Sequence, residues 1–232
     1  MSLQNFVIQV CGWLVGVPLE FLVIFVLVRG PYRLFPLVFV YAAANFITTL
    51  VEIPAYTESF VTGNREVWRH AARVYWVNEW ILQLLVFALV ISLIGQAVTG
   101  ARYQRVIRAG LAVGAILFAG ISLLVHYLPP PAQFGYWMTP WTRDLNFCAA
   151  ILDLALWMIL IASRKAERRL LLVSGGLGMQ FTGEAIGEGI RDLSMPRMVA
   201  ELSLAGSVIA MLADLACLYV WWQTFRTRKK EP

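Results

Sequence analysis

Long runs without any charged residue constrain this chain more than any other feature of its sequence. Residues 1–19, 34–51, 80–101 and 109–142 contain no Asp, Glu, Lys or Arg. A helix that spans a membrane needs ~20 mostly apolar residues, and each run supplies most or all of one span. Charged residues make up only 14% of the 232 residues, against roughly 25% in a typical soluble domain. The sequence therefore predicts a polytopic membrane protein and excludes a soluble domain or a disordered chain.

Seven spans fit these runs and predict an all-α fold. Three consecutive prolines, Pro129, Pro130 and Pro131, divide the longest run, because proline interrupts a helix. The predicted spans are 6–28, 34–56, 74–98, 106–128, 143–163, 170–190 and 199–224. Because these spans occupy most of the chain, we expect a single seven-helix transmembrane domain over residues 1–232.

The basic residues predict the orientation of the bundle. Thirteen of the nineteen Lys and Arg residues fall in the 1–2, 3–4 and 5–6 connections or at the C-terminus. Cytoplasmic loops carry an excess of Lys and Arg, so we expect the N-terminus outside and the C-terminus in the cytoplasm. These residues would then contact lipid headgroups. A nucleic-acid partner is not expected, because it would need a basic domain and the sequence contains none. The short loops favour a bacterial inner-membrane protein.

Acidic residues inside the predicted spans are the main clue to function. An acid at the centre of a membrane helix costs ~2.5–3.5 kcal/mol, so such side chains should face one another, polar partners or a water-filled cavity. Several share a helix face with other polar residues at helical spacing, which predicts a polar interior. Eight acids fall inside spans: Glu20, Glu52, Glu79, Asp153, Glu184, Glu188, Glu201 and Asp214.

Depth along the spans divides the candidates into two sets. The predicted outer, ligand-binding set is Glu52, Glu79, Gln83, Glu184, Glu188 and Glu201. The predicted proton-relay set is Glu20, Asn45, Asp153, Gln180 and Asp214. Since the first and last helices of a seven-helix ring are usually neighbours, Glu20 and Asp214 are predicted to share a proton. The alternatives are that Glu188 pairs with Arg191, that the outermost acids reach headgroups, or that the acids are hydrogen-bonding links between helices.

Two further patterns concern helix packing. Acids recur in order between spans 1–3 and 5–7, which suggests a parallel 3+1+3 repeat of the kind found in transporters. Gly183 and Gly187 have the Gly-x-x-x-Gly spacing of closely packed membrane helices. The glycine-rich run over residues 174–178 suggests a bend in the sixth helix.

The sequence predicts no cofactor. The topology resembles that of microbial rhodopsins, which bind retinal through a lysine in the last helix. Here Lys165, Lys229 and Lys230 all lie outside the spans, so covalent retinal is disfavoured. Haem between helices usually needs paired histidines, and the chain has only His70 and His126. The identity of any bound metal is left open.

Carboxyl groups in a membrane favour a cationic ligand. They exchange a proton for positive charge or supply hard oxygen ligands. We therefore expect an outward-opening acidic cavity that binds and moves a proton or a small cation. The alternative is a ligand sensor or partner subunit that signals through a membrane or cytoplasmic protein on its basic face. An intramembrane enzyme ranks third, because no catalytic motif is recognised.

Overall fold

The computed structural model describes residues 3–98, 104–127, 134–162, 168–194 and 200–226, and its long elements are all helices. Within these ranges there is no β-strand, so the predicted all-α fold is confirmed. A short 3-10 turn over Pro31–Arg33 follows the first helix. The α-helices are α1 (Leu3–Val28), α2 (Pro36–Thr62), α3 (Arg65–Ala97), α4 (Gln104–Tyr127), α5 (Phe134–Ala162), α6 (Arg168–Ser194) and α7 (Ala200–Arg226).

Six of the seven helices in the described ranges are long and apolar enough to cross a membrane. The six segments are Phe6–Val28, Pro36–Thr62, Glu66–Ala97, Ala109–His126, Pro140–Ile161 and Glu201–Arg226. The remaining helix, α6, covers the predicted span 170–190 but carries Glu184 and Glu188 within it and further charged residues at both ends. Its passage through the membrane, and with it the orientation of the two termini, stays a prediction.

The exposure of apolar and polar residues is the reverse of that in a soluble protein. Leu14, Ile116 and Ile151 are 70%, 72% and 67% exposed, whereas Glu20 and Asp153 are 3% and 2% exposed. Water would strongly disfavour an apolar outer surface of this kind. A lipid bilayer solvates it, so the chain is an integral membrane protein whose apolar helix faces contact lipid.

The helices extend further than the predicted spans. Helix α2 continues to Thr62 instead of ending at residue 56, and α3 begins at Arg65 instead of residue 74. The reason is that no Gly or Pro follows Pro54 until Gly63, whose left-handed φ of 59° ends α2. Asn64 then caps α3, because its Oδ1 accepts a hydrogen bond from the backbone N–H of Glu66 at 2.9 Å. Residues 57–62 and 65–73, which lie between two predicted spans, are therefore helical, while the membrane boundaries of those spans stay a prediction.

The helices form two compact units. The first unit contains α1, α2, α3 as far as Val86, and the end of α7 from Phe225. The second contains the rest of α3, then α4, α5, α6 and α7 as far as Thr224. In the first unit α1 packs on α2, and in the second α5 packs on both α4 and α6. Each unit contains its own set of buried carboxyl groups.

The glycine-rich run in α6 lies within a continuous helix and accommodates large rings. A side chain at Gly175 would lie 3.1 Å from the ring of Trp157, and one at Gly176 would lie 2.9 Å from the indole nitrogen of Trp221. That nitrogen donates a hydrogen bond to the backbone oxygen of Val173 at 3.0 Å. The missing side chains therefore allow tryptophans of α5 and α7 to pack directly on the α6 backbone.

The predicted close packing at Gly183 and Gly187 is confirmed. A methyl group on Gly183 would overlap the Ala213 side chain of α7. One on Gly187 would lie 2.5 Å from the backbone oxygen of Gly206. The two glycines therefore allow the α6 backbone to approach α7 closely.

Candidate functional site

In the first unit, Glu20 of α1 is buried against α2. The Asn45 amide nitrogen donates a hydrogen bond to Glu20 Oε1 at 2.8 Å, and the Thr49 hydroxyl contacts the same oxygen at 3.3 Å. The structure thus brings together the predicted relay residues Glu20 and Asn45. Thr49 was missed, although it lies one helical turn after Asn45 and therefore on the same face.

The second carboxyl group of this unit is Glu52 on α2. The Asn78 amide nitrogen of α3 donates to Glu52 Oε1 at 2.9 Å and contacts the backbone oxygen of Thr48 at 3.5 Å. Glu79 lies close enough for its carboxyl group to interact electrostatically with Glu52. Gln83 contacts Glu79 at 3.4 Å. The predicted residues Glu52, Glu79 and Gln83 are therefore neighbours, while their partner Asn78 was missed.

A series of contacting polar groups connects the two carboxyl groups along α2. From Glu52 the series runs through Asn78 to the backbone oxygen of Thr48. The Thr48 hydroxyl donates to the backbone oxygen of Asn45 at 2.8 Å, and the Asn45 side chain contacts Glu20. The separation of seven positions between Asn45 and Glu52 corresponds to ~10 Å along the helix axis. We name Glu20, Asn45, Thr48, Glu52 and Asn78 the first-unit polar track.

Aromatic rings cluster at one end of the polar track. The Tyr56 ring lies 6.1 Å from Trp13, 6.4 Å from Trp68 and 6.5 Å from Tyr75, measured between ring centroids. The interplanar angles are 63°, 78° and 86°. The rings come from α1, α2 and α3, and we name these four residues the aromatic cluster. This cluster was not predicted from the sequence.

In the second unit, Asp153 of α5 lies directly on the α6 backbone. The Ser174 hydroxyl donates to Asp153 Oδ1 at 2.6 Å, and both side chains are buried. A methyl group on Gly178 would lie only 2.7 Å from Asp153 Oδ2. One turn of α6 therefore supplies both a donor for the carboxyl group and the space that it occupies.

Three carboxyl groups of the second unit lie in the neighbourhood of the buried thiol of Cys217. Asp153 on α5, Glu184 on α6 and Asp214 on α7 all lie within electrostatic range of that thiol. The Gln180 amide donates to Glu184 Oε1 at 2.9 Å. The predicted residues of α5, α6 and α7 thus gather in one region. Nowhere in the described ranges do three His, Cys, Asp or Glu residues form a group that could hold a metal ion.

Two predicted ligand-binding residues have other surroundings. Glu188 is buried and forms an ion pair with Arg191, one turn further along α6, as the alternative interpretation anticipated. Glu201 is exposed in the first turn of α7. Glu188 therefore already has a positively charged partner, and Glu201 is accessible at a helix end.

A polar cluster around Asp144 was missed by the sequence analysis. Ser122 Oγ donates to Asp144 Oδ2 at 3.0 Å, and His126 Nε2 lies 2.9 Å from the same oxygen. Arg143 contacts Asp144 at 3.5 Å and Asp192 of α6 at 2.5 Å. Because the acid, not the histidine, lies between Ser122 and His126, this is not the arrangement of a serine hydrolase. The cluster joins α4, α5 and α6.

Some predictions connect the two units and remain predictions. The proposed outer site draws Glu52 and Glu79 from the first unit and Glu184 from the second. The proton shared by Glu20 and Asp214 and the parallel 3+1+3 repeat also involve both units.

Comparison with known proteins gave no match to a protein-family model, a curated protein or a solved structure.

Proposed function

We propose that this membrane protein binds a proton or a small cation at buried carboxyl groups and moves it along the first-unit polar track. The observation that supports this proposal is the series of polar contacts between Glu52 and Glu20, whose successive contacts are joined through the residues Thr48 and Asn45. The track lies within one helical unit, among helices whose outer faces are apolar. It offers two carboxyl positions at different depths along α2.

The hydrogen-bond donors to two of the buried carboxyl groups are neutral, which suits carboxyl groups that bind and release a proton or a cation. Glu52 accepts a hydrogen bond from an amide, and Asp153 accepts one from a hydroxyl. Neither takes part in an ion pair within the described part of the chain. Taking up a proton or a cation therefore breaks no existing ion pair, unlike at Glu188, which contacts Arg191.

The cost of charge in a membrane supplies the binding energy. An ionised carboxyl group among apolar helices lacks the hydration that it has in water, and a bound proton or cation offsets this cost. Hard divalent metals take six to eight oxygen ligands in the case of Ca²⁺, or near-octahedral coordination in the case of Mg²⁺. The carboxyl groups here occur in pairs, such as Glu52 and Glu79, and a pair supplies fewer oxygens than such coordination needs. A proton or a monovalent cation is therefore the favoured ligand.

The proposal is tested by flux into liposomes that contain the purified protein and a pH-sensitive dye. After an external acid pulse, we expect the wild-type protein to acidify the lumen faster than empty liposomes. Glu52→Gln should lose this activity, because the amide keeps the side-chain shape but cannot ionise. Glu58→Gln is the matched control, since Glu58 is an exposed residue of the same helix.

Each outcome has a distinct meaning. Wild-type flux that Glu52→Gln abolishes and Glu58→Gln retains supports the proposal. Equal flux in all three proteins overturns the role of Glu52. Saturable cation binding without flux, measured by a shift in the thermal unfolding temperature, instead favours the ligand sensor.

A further inference from the structure

We infer that the aromatic cluster and the neighbouring carboxyl groups Glu52 and Glu79 form a binding site for an organic ammonium ion. This inference rests on the proposed function and names the ligand class of its first carboxyl position. It depends on three features of the first unit: the register of rings and acids, the angles between the rings, and their burial.

Rings and acids occupy adjacent layers because of helical spacing. Tyr56 follows Glu52 by four residues on α2, and Tyr75 precedes Glu79 by four residues on α3. Residues four apart lie above one another on the same helix face. The chain reverses at Gly63 between the two helices, so both rings lie on the side of the acids that is nearer to this turn. Contacts across the helices confirm this register, since Tyr56 meets Tyr75 and Glu52 interacts with Glu79.

The angles between the rings suit a cation better than a simple stack would. Trp68 and Tyr75 stand at 78° and 86° to the Tyr56 ring, with centroids more than 6 Å apart. These are edge-to-face contacts, in which the faces of the two rings stand at nearly right angles to one another. The negatively charged face of an aromatic ring attracts a cation within ~6 Å of its centroid, and cages of such rings bind quaternary ammonium groups.

The four rings of the aromatic cluster are partly covered by neighbouring residues. Trp13, Tyr56, Trp68 and Tyr75 are all half-buried, whereas Tyr219 elsewhere in the chain is 51% exposed. Interfacial belts place aromatic rings towards lipid headgroups. Half-buried rings from three helices beside two acids instead form a surface that combines π-faces with negative charge.

An organic ammonium ion matches this surface more closely than an inorganic cation does. Its methyl or methylene groups are weakly hydrated and can contact the ring faces, while its charge interacts with Glu52 and Glu79. A hydrated metal ion would instead need several oxygen ligands around it.

The test uses tetramethylammonium chloride as the probe and sodium chloride at equal ionic strength as its control. Binding to the full-length protein in detergent is measured by calorimetric titration and by the thermal unfolding temperature. We expect saturable binding of tetramethylammonium alone, weakened about tenfold in Tyr56→Leu through the loss of one cation–π contact. Tyr56→Phe should retain binding, because it keeps the ring. Tyr219→Leu is the aromatic control and should bind as the wild type does.

Several results would overturn the inference. These are no saturable signal above sodium chloride, equal affinity in Tyr56→Leu and wild type, or loss of binding in Tyr56→Phe. If Tyr56→Leu does not fold, Trp68→Leu tests another wall of the cluster with the same expected loss. Proton flux in the same preparations separates the two claims. Flux without tetramethylammonium binding overturns only this inference, whereas binding without flux overturns only transport.

Discussion

At the scale of single residues, the support of Asp153 by α6 makes two sharp predictions. The first concerns its hydrogen-bond donor, Ser174. Ser174→Ala should lower the free energy of unfolding by about 1–3 kcal/mol, because it removes a donor from a buried carboxyl group. Denaturant unfolding in detergent measures this change. Ser207→Ala is the control, since that hydroxyl bonds to a carbonyl of its own helix, and an equal loss in both variants would contradict the prediction.

The second residue-scale prediction concerns the space at Gly178. Gly178→Ala would place a methyl group against Asp153 Oδ2 and should destabilise the protein by about 1–3 kcal/mol through overpacking. Gly189 lies on the same helix with nothing within 4 Å of its missing side chain. Gly189→Ala should be neutral or slightly stabilising, because alanine favours helices by ~0.8–1.0 kcal/mol over glycine. Thermal unfolding compares the two, and indistinguishable melting temperatures would refute this account of Gly178.

The sequence predicted some of these contacts and missed others for a physical reason. Glu20 and Asn45 were both chosen because acids and amides in membrane helices need polar partners. Asn78 was overlooked, because Glu79 and Gln83, one helical turn apart, predict a different inward face for α3. Which of two adjacent residues points at a neighbouring helix depends on the rotation of that helix, and tertiary packing determines this rotation.

At the scale of elements, the contact between α6 and α7 depends on small residues. Gly187→Ala would bring a methyl group to 2.5 Å from Gly206 O and 3.0 Å from Ala210 Cβ. We expect α6 and α7 to separate locally, with a loss of about 1–3 kcal/mol in stability. Gly114→Ala on α4 is the control, because nothing lies within 4 Å of that position. Unfolding curves in detergent that shift equally for both variants would contradict this prediction.

Charge-free runs predicted where the helices lie, but not where they end. An apolar run identifies the segment that belongs in lipid, whereas a helix continues until a residue such as Gly63 stops it. For this reason α2 and α3 extend beyond their predicted spans, and residues 65–73 are helical.

At the scale of the whole molecule, the number of membrane crossings is the main structural prediction. Seven crossings place the two termini on opposite faces, whereas six would place them on the same face. The excess of Lys and Arg predicts a cytoplasmic C-terminus and an external N-terminus. A fluorescent protein fused to the C-terminus should therefore fluoresce, and an alkaline phosphatase fused there should be inactive. The reverse pattern would contradict the orientation, and tags at both ends that map to one face would exclude a crossing by α6.

The central claim, that charge moves along the first-unit polar track, is tested most directly at its far end. Glu20 lies away from the aromatic cluster, so Glu20→Gln should leave tetramethylammonium binding unchanged while abolishing acid-driven flux. The measurement is the initial rate of lumenal acidification in liposomes, with Glu58→Gln as the control. We predict that Glu20→Gln falls to the rate of empty liposomes and Glu58→Gln keeps the wild-type rate. A wild-type rate in Glu20→Gln would contradict the account.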